Sequence, residues 1–343
     1  MTSAPEREST GDPIRWGVLG AGGIAATVGA DIAATPGNVL HAIGARDGAR
    51  AAAFAAQHGY ARSYGSYADI VADPDVDVVY VATTHAQHRD HALLALRAGK
   101  PVLVEKAFTL NAAQAREVVA EARAQGLFCM EAMWTRLNPL IQQAVSLTRG
   151  GEIGDVLGVR ADLSKKFPYS VSHRLFDLAA GGGALLDLGV YPVTVTWLLL
   201  GRPDVIQAMG SLAPTGTDLT VVLQWGYRAG PVAQIYSSAA GASPFGAMIT
   251  GTEGWISIEP RIHRPARLVV HTGAGEQVIE APPAPGNGYR AQIAEVARCL
   301  RAGELESPHV PLDETVAILE VLDEARRQLG VRYPADLPPE REV

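Results

Sequence analysis

A chain of 343 residues, 48% of them hydrophobic, has room for two domains and a sizeable core. Its net charge of −7, from 29 basic and 36 acidic residues, argues against a general nucleic-acid or anionic-membrane surface. The two cysteines, Cys129 and Cys299, give neither a disulfide framework nor metal-ligand spacing, so no metal site is expected.

The opening Met1 to Asp12 is polar, has no apolar core of a secretory signal and reads as a disordered lead. No apolar run reads as long enough to span a bilayer, so the expectation is a cytoplasmic protein with no membrane partner. Ile14 to Leu19 then reads as a buried strand, followed by a glycine turn and a helix from Ile24 to Ala34. Gly20, Gly22 and Ala25 fit G-x-G-x-x-[GA], the dinucleotide fingerprint. Gly20 lets the chain turn, Gly22 lets backbone N–H groups approach a pyrophosphate, and Ala25 lets helix and strand pack closely. The helix start, with Gly23 and Ile24, offers unpaired N–H donors to phosphates. A plain tight turn is the alternative reading.

Val39 to Ala45 is a second strand. An acidic residue at its end would bind a ribose 2′-hydroxyl, but Ala45-Arg46 stands there, with Arg50 a turn further on. Arginines suit a 2′-phosphate and favour NADP over NAD. Asp47 keeps NAD possible, or simply caps the helix Gly48 to His58. After a short helix, Tyr67 to Ala72, the apolar run Asp77 to Ala82 has the look of a parallel strand. Thr83, His85 and His88 follow its end and are expected in the ligand crevice, though a loop histidine is more often structural. Pro101 to Val104 is the next strand, ending in Glu105-Lys106. A lysine there points to the reacting end of the crevice, where a cation would orient a substrate hydroxyl and lower the pKa of a neighbouring acid. Asn111 caps a helix to Gln125, and Leu127 to Met130 is a further strand. Glu131 to Arg136 then crosses between domains. Its Trp134 is either core or the wall of a substrate pocket.

From Ile153 the texture changes to short strands separated by polar turns, which predicts a largely antiparallel sheet. The runs are Val156 to Leu163, Val205 to Gly210, Leu219 to Trp225, Val232 to Ser238, Met248 to Thr250, Trp255 to Ile258, Leu268 to His271 and Gln277 to Ile279. One long helix, Ala184 to Leu200, interrupts them. Two amphipathic helices, Tyr289 to Arg301 and Asp313 to Leu329, close the chain, and the tail 334–343 reads as loose. The expected division is 13–130, dinucleotide-binding, and 131–333, substrate-binding and dimerising, with the closing helices able to return to the first domain. Ahead of the long helix stand Gly181, Gly182 and Gly183. Asp187 and Tyr191, four apart, share one helix face, and Pro192 removes a helix hydrogen bond beside them. With a lysine nearby, the tyrosine would exchange the hydroxyl proton in a hydride transfer, and Asp187 would hold the lysine or the substrate. A helix-start carboxylate and a packing tyrosine are the alternative.

Together these segments resemble the glucose–fructose oxidoreductase and inositol dehydrogenase family (Gfo/Idh/MocA), from Ile14 to Gly330. Thr83-Thr-His85-Ala-Gln-His88 is similar to T-x-H-x-Q-H. Glu105-Lys106-Ala107-Phe-Thr-Leu-Asn111 is similar to E-K-P-x-x-x-N. Glu131-Ala-Met-Trp134-Thr-Arg136 is similar to E-A-x-W-x-R, and Gly182-Gly-Ala-Leu-Leu-Asp187-Leu-Gly-Val-Tyr191 to G-G-A-L-L-D-x-G-x-Y. The matches fall with the dihydrodiol and NADP-dependent D-xylose dehydrogenase branch. The resemblance implies a Rossmann domain plus an α/β domain with an open sheet whose exposed face forms a homodimer. It implies catalysis by Lys106 and Tyr191 with Asp187 beside them, and Trp134 at the substrate. Cofactor contacts are expected at Gly20, Gly22, Gly23, Ile24, Arg46, Arg50, Thr83, His85, His88, Glu105, Lys106 and Arg136. The implied substrate is a sugar or trans-diol. A keto-sugar or dicarbonyl reductase, or a silent NAD(P) sensor, are the other readings. Ala107 stands where the family has proline, and a trans Lys106–Ala107 bond is expected because a cis bond before alanine costs about 3 kcal/mol.

Overall fold

The computed structural model describes residues 11–228, 230–281 and 285–336. Most of the expected lead, and the tail beyond Asp336, lie outside these residues. The first half forms six parallel strands in the order β3-β2-β1-β4-β5-β6. These are β1 (Ile14–Leu19), β2 (Asn38–Gly44), β3 (Arg62–Tyr64), β4 (Val78–Val81), β5 (Val102–Val104) and β6 (Cys129–Glu131). Helices α1 (Gly23–Ala33), α2 (Gly48–His58), α3 (Tyr67–Ala72), α4 (His88–Arg97) and α5 (Ala112–Gln125) connect them. The central strands β1 and β4 are buried almost throughout, as their near-continuous apolar runs require. Strand order reverses between β1 and β4, so a crevice opens beyond their C-terminal ends.

The second half forms an eight-stranded sheet. It comprises β7 (Val156–Ser164), β8 (Val205–Leu212), β9 (Asp218–Gly226), β10 (Val232–Ser238), β11 (Ala247–Gly251), β12 (Gly254–Ile258), β13 (Arg267–Thr272) and β14 (Gly275–Glu280). All neighbours are antiparallel except β7 with β10, where Val159 sits opposite Ala233. One face packs on α7 (Val190–Leu200). The other carries exposed Met209, Val232 and Tyr236. Two elements have no counterpart in the sequence reading. β3 is three largely exposed residues, too short to show a period. α6 (Pro139–Arg149) has a plain signal, an Asn138 cap followed by proline in the first turn, that went unread.

Two expectations are corrected. The segment Leu178–Leu200 is long and apolar enough to cross a membrane, but 89% of its most apolar window is buried as core. The tail is not loose at its start: Pro334–Asp336 forms a short turn, and Asp336 pairs with Arg326 at 2.7 Å. The closing helices α8 (Arg290–Ala302) and α9 (Leu312–Leu329) return to the first half. Asp323 accepts from the Ala112 amide at 2.8 Å. At the end of α1, buried Asp31 accepts from the amides of Asn287 and Tyr289. These contacts tie the closing helices to the first half.

Candidate active site

The crevice is a cleft of about 700 Å³ running from the glycine turn to Lys106 and Asp187. At its first end Gly20 has a φ of +106°, and a Cβ there would lie 2.8 Å from the Ala82 carbonyl oxygen. Only glycine allows that crossing of the β1 and β4 ends. Nothing stands within 4 Å of a Cβ built at Gly22 or Gly23, and no side chain caps α1. The first-turn amides are therefore open to an anion, with Ile24 beside them. Arg46 and Arg50 line the same end, and Arg50 reaches the Ala21 carbonyl at 2.7 Å. Asp47 lines this end as well, but its carboxylate is engaged in capping α2, accepting from the Ala49 and Arg50 amides. The open turn and two lining arginines fit a phosphorylated dinucleotide.

Thr83, His85, His88 and Glu105 line the middle of the cleft. Each histidine ring lies between two backbone carbonyls. His85 contacts those of Gly181 and Lys106 at 3.0 and 3.2 Å, and His88 those of Ala107 and Thr83 at 2.9 and 3.2 Å. Burial pushes His85 down to about 4 and His88 to about 3, so both rings are neutral near pH 7. The Lys106–Ala107 bond is cis, which overturns the trans expectation. Local preference favoured trans, but the carbonyls of Lys106 and Ala107 sit against the His85 and His88 rings, which come from another loop. Buried Glu105 accepts from the Tyr80 hydroxyl at 2.5 Å and from the Lys106 amide at 3.2 Å.

At the far end the Lys106 ammonium donates to the Asp187 carbonyl at 2.8 Å and lies 3.6 Å from its carboxylate. It also sits 4.8 Å over the Tyr191 ring. The helix carrying these residues opens with a wide π turn, Leu185–Gly189, before α7. The irregularity expected at Pro192 thus lies just ahead of it. Pro192, five residues beyond Asp187, has no N–H to give that carbonyl in the π register, and the lysine takes the place. Arg174 reaches the Asp187 carboxylate at 3.0 Å. Burial pushes the Asp187 carboxyl up, but Lys106 and Arg174 outweigh it and hold it well below the usual carboxylate range.

Tyr191 differs from expectation. Burial raises its phenol well above the ordinary value; the Trp134 indole N–H, donated to the phenol oxygen at 3.1 Å, offsets this only in part. The expected lowering by Lys106 presumed a solvated phenol. Of the two readings of Trp134 the structure shows the core one: it is buried, its ring centroid lies 4.4 Å from that of Tyr289, and it touches Tyr191 without lining the cleft. Arg136 is also corrected. It does not line the cleft; its guanidinium is buried against Glu314 of α9. The local motif was legible, but the partner lies 178 residues on. Sequence reasoning missed Tyr67 and Arg174, which line the cleft from a helix start and a loop with no motif. Elsewhere, among the described residues, His41, Asp73 and Asp75 converge, but Arg15 and Arg62 already pair with those carboxylates.

Comparison with known proteins agrees with this geometry. Residues 14–133 match the oxidoreductase family with NAD-binding Rossmann fold (Gfo/Idh/MocA), and residues 141–257 match the Gfo/Idh/MocA C-terminal domain. The chain is 37% identical to trans-1,2-dihydrobenzene-1,2-diol dehydrogenase of Bos taurus, over 94% of this chain and 99% of that one. It is 37% identical to D-xylose 1-dehydrogenase (NADP(+)) of Hypocrea jecorina, over 95% of each. Among solved structures, a 3-ketoreductase from Actinomadura kijaniata, in complex with NADP and TDP-benzene, aligns with a TM-score of 0.82 at 26% identity, over 92% of this chain and 98% of that one.

Proposed function

This chain belongs to the Gfo/Idh/MocA oxidoreductase family, and from that premise we propose that it transfers hydride between NADP and a secondary alcohol or anomeric carbon of a sugar or trans-dihydrodiol. It is an NAD(P)-dependent dehydrogenase acting on a CH–OH group. The observation that carries the finer reading is the meeting of Lys106 and Asp187, which line one end of the cleft, with buried Tyr191 directly behind them, while the other end is the glycine turn with Arg46 and Arg50.

Gly20, Gly22, Gly23 and Ile24 would hold the pyrophosphate, and Arg46 with Arg50 the 2′-phosphate. Thr83, His85, His88 and Glu105 would wall the nicotinamide half. Bound nicotinamide supplies the hydride acceptor or donor. Lys106 orients the substrate oxygen by donating a hydrogen bond. Tyr191 exchanges the hydroxyl proton: its phenol donates that proton to the substrate oxygen on reduction, and the phenolate so formed takes it back when the same step runs toward oxidation. The Trp134 N–H already donates to the phenol oxygen, which leaves the phenol's own hydrogen free for a substrate. Asp187, kept ionised, holds the ammonium in place. Because the same groups serve both directions, a keto-sugar or dicarbonyl reductase is the second reading, favoured by the likeness to the 3-ketoreductase.

The exposed Met209, Val232 and Tyr236 of the open sheet support a homodimer through that face. A panel of pentoses, hexoses, inositols and trans-diols with NADP, and of keto-sugars and dicarbonyls with NADPH, tests the reading. Turnover in the first arm with preference for NADP supports it. Tight NADPH binding with no turnover in either arm would leave a silent sensor instead.

A further inference from the structure

We propose that Asp218 and Tyr333 are positioning residues for the reaction, fixing the backbone from which Asp187 and Tyr191 project. The proposal rests on the hydride-transfer function proposed for the cleft. The segment that opens this helix meets side chains from distant parts of the chain at residues 181, 182, 183 and 185. The Gly181 carbonyl meets His85 Nδ1 at 3.0 Å. The Gly182 carbonyl accepts from the Tyr333 hydroxyl at 2.9 Å. Gly183, at a φ of +133°, lies so close to Asp218 that a Cβ would stand 2.1 Å from its Oδ1. The Leu185 amide donates to Asp218 Oδ2 at 2.5 Å.

Asp218 opens β9 and is 2% exposed, while Tyr333 is fully buried. Arg326 lies 4.6 Å over the Tyr333 ring and is itself held by Asp323 and Asp336 at 2.7 Å each. A buried carboxylate is costly unless its neighbours compensate, and Oδ1 of Asp218 has no hydrogen-bond partner among the described residues. Burial raises Asp218 to about 6, against the pull of the Leu185 amide. Helix capping explains one oxygen of this carboxylate.

The backbone carries the effect to the reacting groups. Lys106 is anchored on the Asp187 main-chain carbonyl, two residues past the Leu185 amide. Any shift of the helix start therefore moves Lys106, Asp187 and Tyr191 together, and reacting groups tolerate little displacement. Neither Asp218 nor Tyr333 lines the cleft.

The test uses the full chain with Asp218→Asn and Tyr333→Phe, both close in shape to the originals. The single-turnover rate of NADPH oxidation, with a keto-sugar or dicarbonyl that the wild-type chain reduces as the hydride acceptor, is normalised to sites that bind NADPH, so that loss of folded protein does not register. We expect Asp218→Asn to slow this rate about ten-fold and Tyr333→Phe about three-fold, with NADPH affinity unchanged within about two-fold. Hydrogen exchange of residues 183–191 should quicken in both while that of α1 stays the same. An unchanged normalised rate in both variants overturns the proposal. If the wild-type chain turns over no substrate, the reading of function has failed, and the exchange result alone decides: faster exchange confined to 183–191 supports the positioning role, and unchanged exchange overturns it.

Discussion

The two ends of the cleft are built in different ways. The end proposed for the phosphates is local: one strand, one turn and one helix start, contiguous from Ile14 to Ala33, with Arg46 and Arg50 added from the next unit. The end proposed for the reaction is assembled. Lys106 comes from the end of β5, Trp134 from the crossing, Arg174 from a loop and Asp187 with Tyr191 from a π turn and α7. A local device tolerates change elsewhere and fails by its own residues. An assembled one fails when any contributing segment moves.

Lys106→Met gives the sharpest contrast. It should lower turnover about 100-fold while NADPH affinity stays nearly intact, because the ammonium serves the reacting end. Steady-state rates beside fluorescence titration check this; a joint loss of binding and rate would erase the division. Gly20→Ala should do the reverse. A Cβ at φ +106°, facing the Ala82 carbonyl, should weaken NADPH about thirty-fold, read by the same titration. Arg46→Ala should weaken NADPH about ten-fold and NADH under about two-fold, since only the former carries the extra phosphate. Equal weakening would remove the 2′-phosphate role.

The smallest effect concerns the middle of the cleft. His88 is held down to about 3 by burial, against an ordinary value near 6.5. Between those values the unfolded chain binds more protons, so this contribution is present above about pH 6.5 and is lost as pH falls toward 3. His88→Gln should therefore flatten the decline of Tm between pH 6.5 and 4.5 by a few degrees. Parallel declines in the two proteins would contradict the buried neutral ring.

This division also sets what the sequence discloses. The glycine turn, the lysine after β5 and the Asp187–Tyr191 pair were legible because each is one segment with a spacing that the chemistry requires. The strands of the second sheet were legible from short β-branched runs between turns. Partners across the chain were not. Nothing near Arg136 announces Glu314, and nothing near Gly182 announces Tyr333. Burial was hidden too, so Tyr191 was expected with a lowered pKa and is found with a raised one. The cis bond at Ala107 escaped the sequence for the same reason, since the histidines flanking it come from another loop.

The central claim is that Tyr191 moves the substrate proton while the rest of the cleft binds. The single-turnover rate of Tyr191→Phe, measured at saturating NADPH beside its NADPH affinity, tests it most directly. We expect a fall of about 100-fold or more in the rate with affinity kept. A near-normal rate would contradict the account and remove the phenol from the reaction.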